Sequence, residues 1–184
     1  LLLVLLKTSR HQQQLFEYAV HQARQPSEII SIPVLTTPPA ERSRSVEQYP
    51  DRRMLPAAEP DTDTLKRLVE RSREIAEEID EHTGRRNAMR NVAELVFKVS
   101  AYLGYDEYEC TLFLAVALVY DVGFLAFDAS FFDLESLTDE QYERLTQHTR
   151  RGVDRVLFVP EALRPLFRDG ILKHHEGLDG NGYP

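Results

Sequence analysis

One stretch of the chain is apolar on every side, and it limits the folds that the sequence can adopt. Residues 112 to 120 read LFLAVALVY, with no charged side chain among them. Asp106 and Glu109, three residues apart, resemble a capping box at the start of a helix that includes this stretch. A helix that is apolar all round is buried in the middle of its fold. Other helices are therefore expected to surround it.

Two amphipathic helices are predicted ahead of this stretch. The first begins after Asp63 and is stopped by Gly84, and the second begins near Ala88 and ends at Gly104. In the first, apolar residues recur at helical spacing on one face and charged residues occupy the other. Such apolar faces can pack against a central helix.

Two further helices are predicted downstream. Thr138 and Gln141 form a second capping box, which opens a helix expected to continue to Leu157. Pro160 opens the last helix, which is expected to run to about His174. The predicted fold class is therefore mainly α, with a helical bundle as its body.

The residues ahead of the helical body differ from it in composition. Residues 1–36 read as strand, helix and strand, a small partial α/β segment, and residues 37–63 form a proline-rich polar linker. The helical domain is expected over residues 64–184 and is expected to continue beyond them. Two strands and one helix cannot close a core alone, so the front segment must dock on the rest, on further segments or on a second copy.

The charge of the chain limits its ligands. Lys and Arg total 22 against 30 Asp and Glu, which gives a net charge of −8. Generic nucleic-acid binding needs many cations that displace counterions, so this class of protein is not expected. An anionic ligand would need a cation at its own site.

Cysteine content and hydropathy indicate a compartment. Cys110 is the only cysteine, so no intrachain disulfide can form, which favours a reducing compartment and hence the cytoplasm. The apolar run at residues 1–6 is much shorter than the roughly 20 residues that span a bilayer, so no membrane span is expected. We interpret this run as a buried strand. The alternative is the end of a segment that precedes Leu1.

Three positions have side chains that could bind a metal. His174 and His175 lie at the end of the last predicted helix, where they could approach metal ions or form an exposed polar helix end. Asp121 directly follows the apolar helix, so it is either a ligand or the residue that terminates the helix. His148 could be a fourth ligand, or an ordinary core or surface histidine.

A basic cluster follows His148 on the same predicted helix. Arg150, Arg151 and Arg155 could bind a phosphate group, or they could form a solvated helix face.

The order of these residues resembles a known family. Asp121, His148 and the pair His174-His175 are followed by Gly-Tyr-Pro at 182–184, as in the HD-GYP family of metal-dependent phosphohydrolases that hydrolyse cyclic di-GMP. The resemblance covers about residues 65–184, and the ending HHEGLDGNGYP is highly specific. It implies an all-helical bundle with a centre of two or three metal ions.

The resemblance also implies roles for individual residues. The metal ligands would be Asp121, His148, His174 and His175, and Asp121 would also be catalytic. Imidazole and carboxylate ligands suit iron, manganese, nickel or zinc. The residues predicted to contact a ligand or a partner protein are Arg150, Arg151, Asp179, Gly180, Gly182, Tyr183 and Pro184.

Several positions depart from the family pattern. Tyr120 stands where the family has the signature histidine ligand, and Phe124 stands where it has a lysine that faces phosphate. Asn87 and Ala88 stand where an upstream ligand is expected, and Glu94 is a displaced candidate. Basic residues of the family pattern fall at Asp133 and Gly177, and a late carboxylate ligand would lie beyond Pro184.

These departures favour a degenerate HD-GYP signalling protein with weak or no hydrolytic activity. It would act by binding cyclic di-GMP, a related dinucleotide or a partner such as a diguanylate cyclase domain, with divalent metal absent or sub-stoichiometric. The front segment would be an input or dimerisation element, which predicts a homodimer. The alternative is an active metal-dependent phosphodiesterase with an altered metal centre. A third possibility is a purely structural helical domain.

Overall fold

The computed structural model describes residue 55 and residues 60–134, 136–177 and 182–183. The predicted α/β segment at 1–36 and most of the predicted linker at 37–63 lie outside these residues. So do three of the predicted contact residues, Asp179, Gly180 and Pro184.

The described part of the chain is mainly helical, as the sequence predicted. Three short 3-10 helices cover Val122–Ala126, Ala129–Asp133 and Glu161–Leu163. The α-helices are α1 (Thr62–His82), α2 (Ala88–Tyr102), α3 (Glu107–Val119), α4 (Asp139–Thr146), α5 (His148–Val153) and α6 (Arg164–Lys173).

Local capping defines the first helix. The side chain of Asp61 accepts a hydrogen bond of 2.9 Å from the backbone N–H of Thr64, which satisfies one of the free donors at the start of α1. At the other end, Gly84 has φ 66°, and the N–H of Arg85 donates to the carbonyl of Asp80 at 2.9 Å. This is a Schellman motif, which ends the helix and turns the chain towards α2.

The all-apolar helix lies at the centre, as predicted. Asp106 accepts from the N–H of Glu109 at 2.8 Å, and the Glu109 carboxylate accepts from the N–H of Asp106 at 3.0 Å, so the predicted capping box is present. Helix α3 packs against α1, α2 and α6, and most of its side chains are buried. The largest side chains of the core include Phe167, Ile79, Met89, Leu112, Leu163, Leu166 and Ile171.

One described segment, Glu107–Ala126, is long and apolar enough to cross a membrane by length and composition. Most of its apolar stretch is buried inside the fold, and the core helix of a soluble protein has the same properties. It is therefore weak evidence for a membrane span.

The predicted helix from Thr138 to Leu157 is divided in the structure, so that prediction was wrong in its extent. Its capping box is present, but α4 ends at Thr146, α5 begins at His148 and α5 ends at Val153. The Thr146 hydroxyl donates to the carbonyl of Glu143 at 2.7 Å, and the His148 ring donates to that of Leu145 at 2.8 Å. Side chains that bond nearby carbonyls compete with the backbone ladder, which explains the break.

Helix α5 lies against the segment that follows α3, and two glycines make this possible. A Cβ added at Gly123 would overlap the carbonyl oxygen of His148 and would lie 2.9 Å from the backbone nitrogen of Gly152. The contact between the two backbones is therefore so close that it excludes a side chain at position 123. It also places His148 beside the end of α3.

Candidate metal centre

Three helix ends bring four side chains to one point. Asp121 follows α3 directly, His148 is the first residue of α5, and His174 and His175 follow α6. One ligand atom from each of these residues lies within 4.8 Å of every other. These four are the metal ligands that the resemblance implied, and the structure brings them together although they are up to 54 positions apart in the chain.

Three of the four ligand atoms are in direct contact. The distance from Oδ1 of Asp121 to Nε2 of His174 is 3.2 Å, and to Nε2 of His148 it is 3.3 Å. The two Nε2 atoms are 3.1 Å apart. Ligands at about 2.1 Å from a tetrahedral ion are roughly 3.4 Å from one another, so these separations are close to those of a metal site.

The backbone fixes the proton positions of both histidines. Nδ1 of His148 lies 2.8 Å from the carbonyl oxygen of Leu145, and Nδ1 of His174 lies 2.8 Å from that of Ile171. A carbonyl oxygen only accepts hydrogen bonds, so each Nδ1 must carry the proton and donate it. In the neutral ring, Nε2 is then an acceptor with its lone pair directed at the cluster. Metal-bound histidines usually donate their other ring N–H to a carbonyl or carboxylate oxygen in this way, which orients the ring towards the metal.

With both rings neutral, the cluster therefore brings together three hydrogen-bond acceptors and no donor. The two Nε2 lone pairs and the Asp121 carboxylate meet at 3.1 to 3.3 Å in a buried position, where they repel one another unless a cation lies between them. A proton on one ring satisfies part of the set, whereas a divalent ion satisfies all of it. The residues present thus fit a metal ion of the kind that nitrogen and oxygen ligands select.

Asp121 is the buried anion of this cluster, with 4% of its surface exposed. Burial raises the pKa of its carboxyl, but hydrogen bonds from His148 and His174, and the positive charge that a second proton places on these rings when no metal lies between them, lower it by more, so the net pKa lies well below its usual range. Asp121 is therefore a carboxylate at neutral pH, which is the form that binds a metal.

His175 forms the exposed side of the cluster. Its ring centroid lies 4.2 Å from that of His174, and it stacks on the ring of Tyr183 at 4.6 Å and 20°. Partial burial of the ring, followed by the charges of His174 and His148, lowers the pKa of His175 to about 4. The imidazole is therefore neutral and can act as a ligand at physiological pH. Because this side is exposed, an additional ligand can reach the cluster from it.

Tyr120 packs against the cluster without being one of the four converging residues. Its ring meets that of His174 edge-to-face at 4.8 Å. Burial raises the pKa of its phenol far above the usual range, and the neighbouring Asp121 charge raises it further. Tyr120 is therefore held as a neutral phenol, which is a poor metal ligand.

Phe124 covers the other side of His148. The two ring centroids are 4.4 Å apart, and Phe124 is buried. The position where the resemblance implies a lysine facing phosphate thus carries an apolar ring. A different cation lies nearby. The guanidinium of Arg85 lies 5.4 Å from the centroid of the Phe124 ring, and its Nη1 atom lies 3.5 Å from Oδ2 of Asp121.

Some of the other predicted contact residues lie near the cluster and others do not. Gly182 and Tyr183 follow the cluster, and Tyr183 forms an isolated bridge with His175. Arg150 is exposed on α5, whereas Arg151 donates to the carbonyl of Ala126 at 3.4 Å. Part of the predicted basic cluster is therefore used within the fold.

Glu94, the candidate ligand upstream of Asp121, lies outside the cluster. Glu94 lines a cavity of about 350 Å³ together with Arg73, Arg90 and Leu114, and it is not among the four clustered residues. Asn87 and Ala88 lie at the start of α2, and Asn87 has φ 53° in the left-handed region. Within the described residues, no upstream histidine or carboxylate joins the cluster.

Arg85 is the site residue that sequence reasoning missed. It is one of two consecutive arginines, and nothing in the sequence distinguishes it from Arg86. Only the Schellman turn after α1 and the contact between α1 and the segment after α3 place its side chain beside Asp121.

Comparison of the chain with protein-family models, with curated proteins and with solved structures finds no match. The function of the site therefore has to be inferred from its geometry and from the motif.

Proposed function

We propose that this chain is a degenerate HD-GYP signalling protein that binds one divalent metal ion and a phosphate-containing dinucleotide of the cyclic di-GMP type, with little or no turnover. Asp121, His148, His174 and His175 would hold the ion, which would be iron, manganese, nickel or zinc. The observation that carries the proposal is the meeting of two imidazole lone pairs and a buried carboxylate at 3.1 to 3.3 Å.

The number of ligands supports binding more than catalysis by several ions. A tetrahedral ion uses four ligands, so the four clustered side chains leave none for a second ion within the described residues. When bound, a metal here supplies positive charge that neutralises phosphate oxygens. Two-metal hydrolases stabilise both the attacking and the leaving oxygen, and one ion cannot do both as well.

The residues around the cluster also support weak turnover. Tyr120 is kept as a neutral phenol, and Phe124 offers an apolar ring where the motif implies a cation. Loss of one transition-state donor costs about 100- to 1000-fold in rate in well-studied enzymes. Binding does not need the transition state, so it is less affected by these changes.

The exposed side of the cluster is where a ligand or partner would arrive. His175 is exposed, and Tyr183 stacks on it. We propose that the dinucleotide, or a diguanylate cyclase domain as partner, contacts the chain at this side through Gly182 and Tyr183.

An active phosphodiesterase with an altered centre is the second candidate function. Catalytic zinc sites use three protein ligands and leave one position open. Asp121, His148 and His174 form such a set of three, in which Asp121 and His148 are buried and His174 is half-buried, and the exposed His175 lies at its open side. This arrangement would leave room for a substrate oxygen if His175 moved aside.

Cyclic di-GMP tests both functions in one experiment. The full chain, loaded with manganese, is titrated with cyclic di-GMP by calorimetry, and the same mixture is assayed for linear product. The proposal expects saturable binding, slow or absent hydrolysis, and loss of binding in His148→Ala. His82→Ala is the matched control, because His82 bonds the carbonyl of Phe127 at 3.0 Å outside the cluster.

The outcomes separate the candidates. Fast turnover that disappears in His148→Ala would overturn the proposal in favour of an active phosphodiesterase. Absence of binding of both metal and dinucleotide would leave only a structural helical domain.

A further inference from the structure

Arg85 presents a cation to the cluster from a side that the motif does not use. Its Nη1 atom lies 3.5 Å from Oδ2 of Asp121. The two histidines contact the other oxygen of this carboxylate, Oδ1. Its side chain is 45% exposed. The guanidinium therefore lies between the buried carboxylate and solvent.

Most of the donors of this guanidinium are uncommitted. A guanidinium carries five N–H donors. Within the described residues, its one hydrogen bond is the 3.5 Å contact to Asp121, which is long for a charge-assisted bond. Its Cζ atom lies 5.4 Å from the centroid of the Phe124 ring, a cation–π contact that uses no donor. The remaining N–H groups can bind an anion.

The turn that carries Arg85 is well defined by the backbone. Gly84 at φ 66° and the 2.9 Å bond from the N–H of Arg85 to Asp80 close the end of α1. Asn87 at φ 53° starts α2, and Asp80 accepts from the N–H of Met89 at 3.3 Å. The position of Arg85 is thus set by backbone contacts that a change of its side chain leaves in place.

Three other basic side chains near the site are engaged elsewhere, whereas Arg150 is exposed on α5. Arg151 donates to the carbonyl of Ala126 and lies 5.0 Å from the Phe127 centroid, and Arg155 donates to that of Leu125 at 3.3 Å. Lys173 pairs with Asp169. Because the chain has a net charge of −8, an anion at the cluster depends on whatever cation lies beside it.

We propose that Arg85 is the residue that binds a phosphate group at this centre, through a guanidinium held over Phe124 and beside Asp121. It supplies from the α1–α2 turn the cation that the motif would have supplied as a lysine at position 124. This inference rests on the proposed function, because it needs a metal-loaded cluster. A guanidinium also suits a phosphate group, since its paired N–H groups match two phosphate oxygens.

Arg85 has one competing role, which is to orient Asp121. A positioning residue would change metal binding when it is removed, because the ligand itself would move. A phosphate-binding residue would change anion binding and leave metal binding nearly unchanged. Metal affinity and phosphate affinity must therefore be measured separately.

The experiment uses the full chain and three variants. Wild type, Arg85→Ala, Arg85→Lys and Arg86→Ala are titrated first with manganese alone, then in the manganese-loaded form with inorganic phosphate and with cyclic di-GMP. Arg86 is the matched control, since it is an exposed arginine of the same turn. Circular dichroism shows whether each variant is folded.

The expected result is that Arg85→Ala weakens phosphate and cyclic di-GMP binding about 10- to 100-fold, which is the usual effect of losing a charge-assisted contact. Arg85→Lys should keep part of this affinity, since it retains the charge but not the paired donors. Manganese affinity should stay within about threefold in all four proteins, and Arg86→Ala should bind phosphate as wild type does.

Three results would overturn the inference, and they can be told apart. Unchanged phosphate binding in Arg85→Ala, with manganese bound, would remove the role of Arg85 and leave the metal centre intact. Loss of manganese in Arg85→Ala and its recovery in Arg85→Lys would make Arg85 a positioning residue for Asp121. Absence of manganese in the wild type would end the proposed function, and this inference with it.

Discussion

Substitution of Gly123 by alanine should be far more harmful than its small size suggests. A Cβ there would overlap the carbonyl oxygen of His148 and would lie 2.6 Å from its carbonyl carbon and 2.9 Å from the nitrogen of Gly152. All three atoms belong to the backbone of α5, so no side chain can rotate away. Helix α5 would have to retreat by roughly 1.5 Å to restore van der Waals contact.

This displacement affects both stability and the site. Overpacking of a well-packed core costs about 1–3 kcal/mol, and rigid backbone on the opposing side places this case at about 3 kcal/mol or more. The His148 ring moves with α5, and its 3.3 Å contact with Asp121 opens. Metal sites tolerate errors of only about 0.2 Å in ligand distance, so the variant should also lose its metal affinity.

Urea denaturation of the metal-free protein, monitored by circular dichroism, measures the free energy of unfolding. Two other glycine variants serve as comparisons. Gly152→Ala should cost less, about 1–3 kcal/mol, because the nearest atom is the Cγ2 methyl of Ile171 at 2.7 Å and the nearest backbone atom, the nitrogen of Gly123, lies at 3.1 Å. Gly84→Ala meets no atom within 4 Å but has φ 66°, so it should cost about 1 kcal/mol. If Gly123→Ala were as stable as wild type, or bound metal equally well, the close approach of α5 would be refuted.

Three further predictions concern titratable groups. Burial, then the neighbouring Asp106 and Glu109 carboxylates, raises the pKa of the Cys110 thiol to about 11, so less than about 1% is thiolate at pH 8. Iodoacetamide should therefore label Cys110 only on unfolding, and labelling at the rate of a free thiol in the folded protein would contradict this. Tyr120→Phe should leave manganese affinity within about twofold, because the buried phenol is not a ligand; a tenfold loss would show that it is one. Since the pKa of His175 is lowered to about 4, this ring binds no proton at pH 7 and releases none when metal binds. Calorimetry in two buffers should give the same proton release for His175→Ala and wild type, and a smaller release in the variant would be contrary to the assigned protonation state.

The sequence predicted the helices best where local chemistry decides their ends. The capping boxes at Asp106 and Thr138 and the stop at Gly84 are side-chain and backbone signals that can be read directly. The break at Gln147 could not be predicted in this way. It depends on Thr146 and His148 bonding nearby carbonyls, and the position of His148 in turn depends on α5 being held against Gly123.

The residues of the site likewise divide into those that the sequence predicted and one that only the packing of the fold shows. The four clustered residues were predicted from the resemblance to one family motif, and that motif reaches across the chain to residues that the fold brings together. Arg85 belongs to no motif in this sequence. Its place beside Asp121 follows from how α1 packs against the segment after α3, and this packing is set by the whole core.

Metal binding by the purified full chain tests the central claim most directly. Stripped protein is titrated with manganese and with zinc, and the bound metal is counted after dialysis by elemental analysis. We predict saturable binding of one ion per chain, weakened at least 10- to 100-fold in His148→Ala and unchanged in His82→Ala. Absence of saturable binding, or equal affinity in wild type and His148→Ala, would contradict a metal centre built from Asp121, His148, His174 and His175.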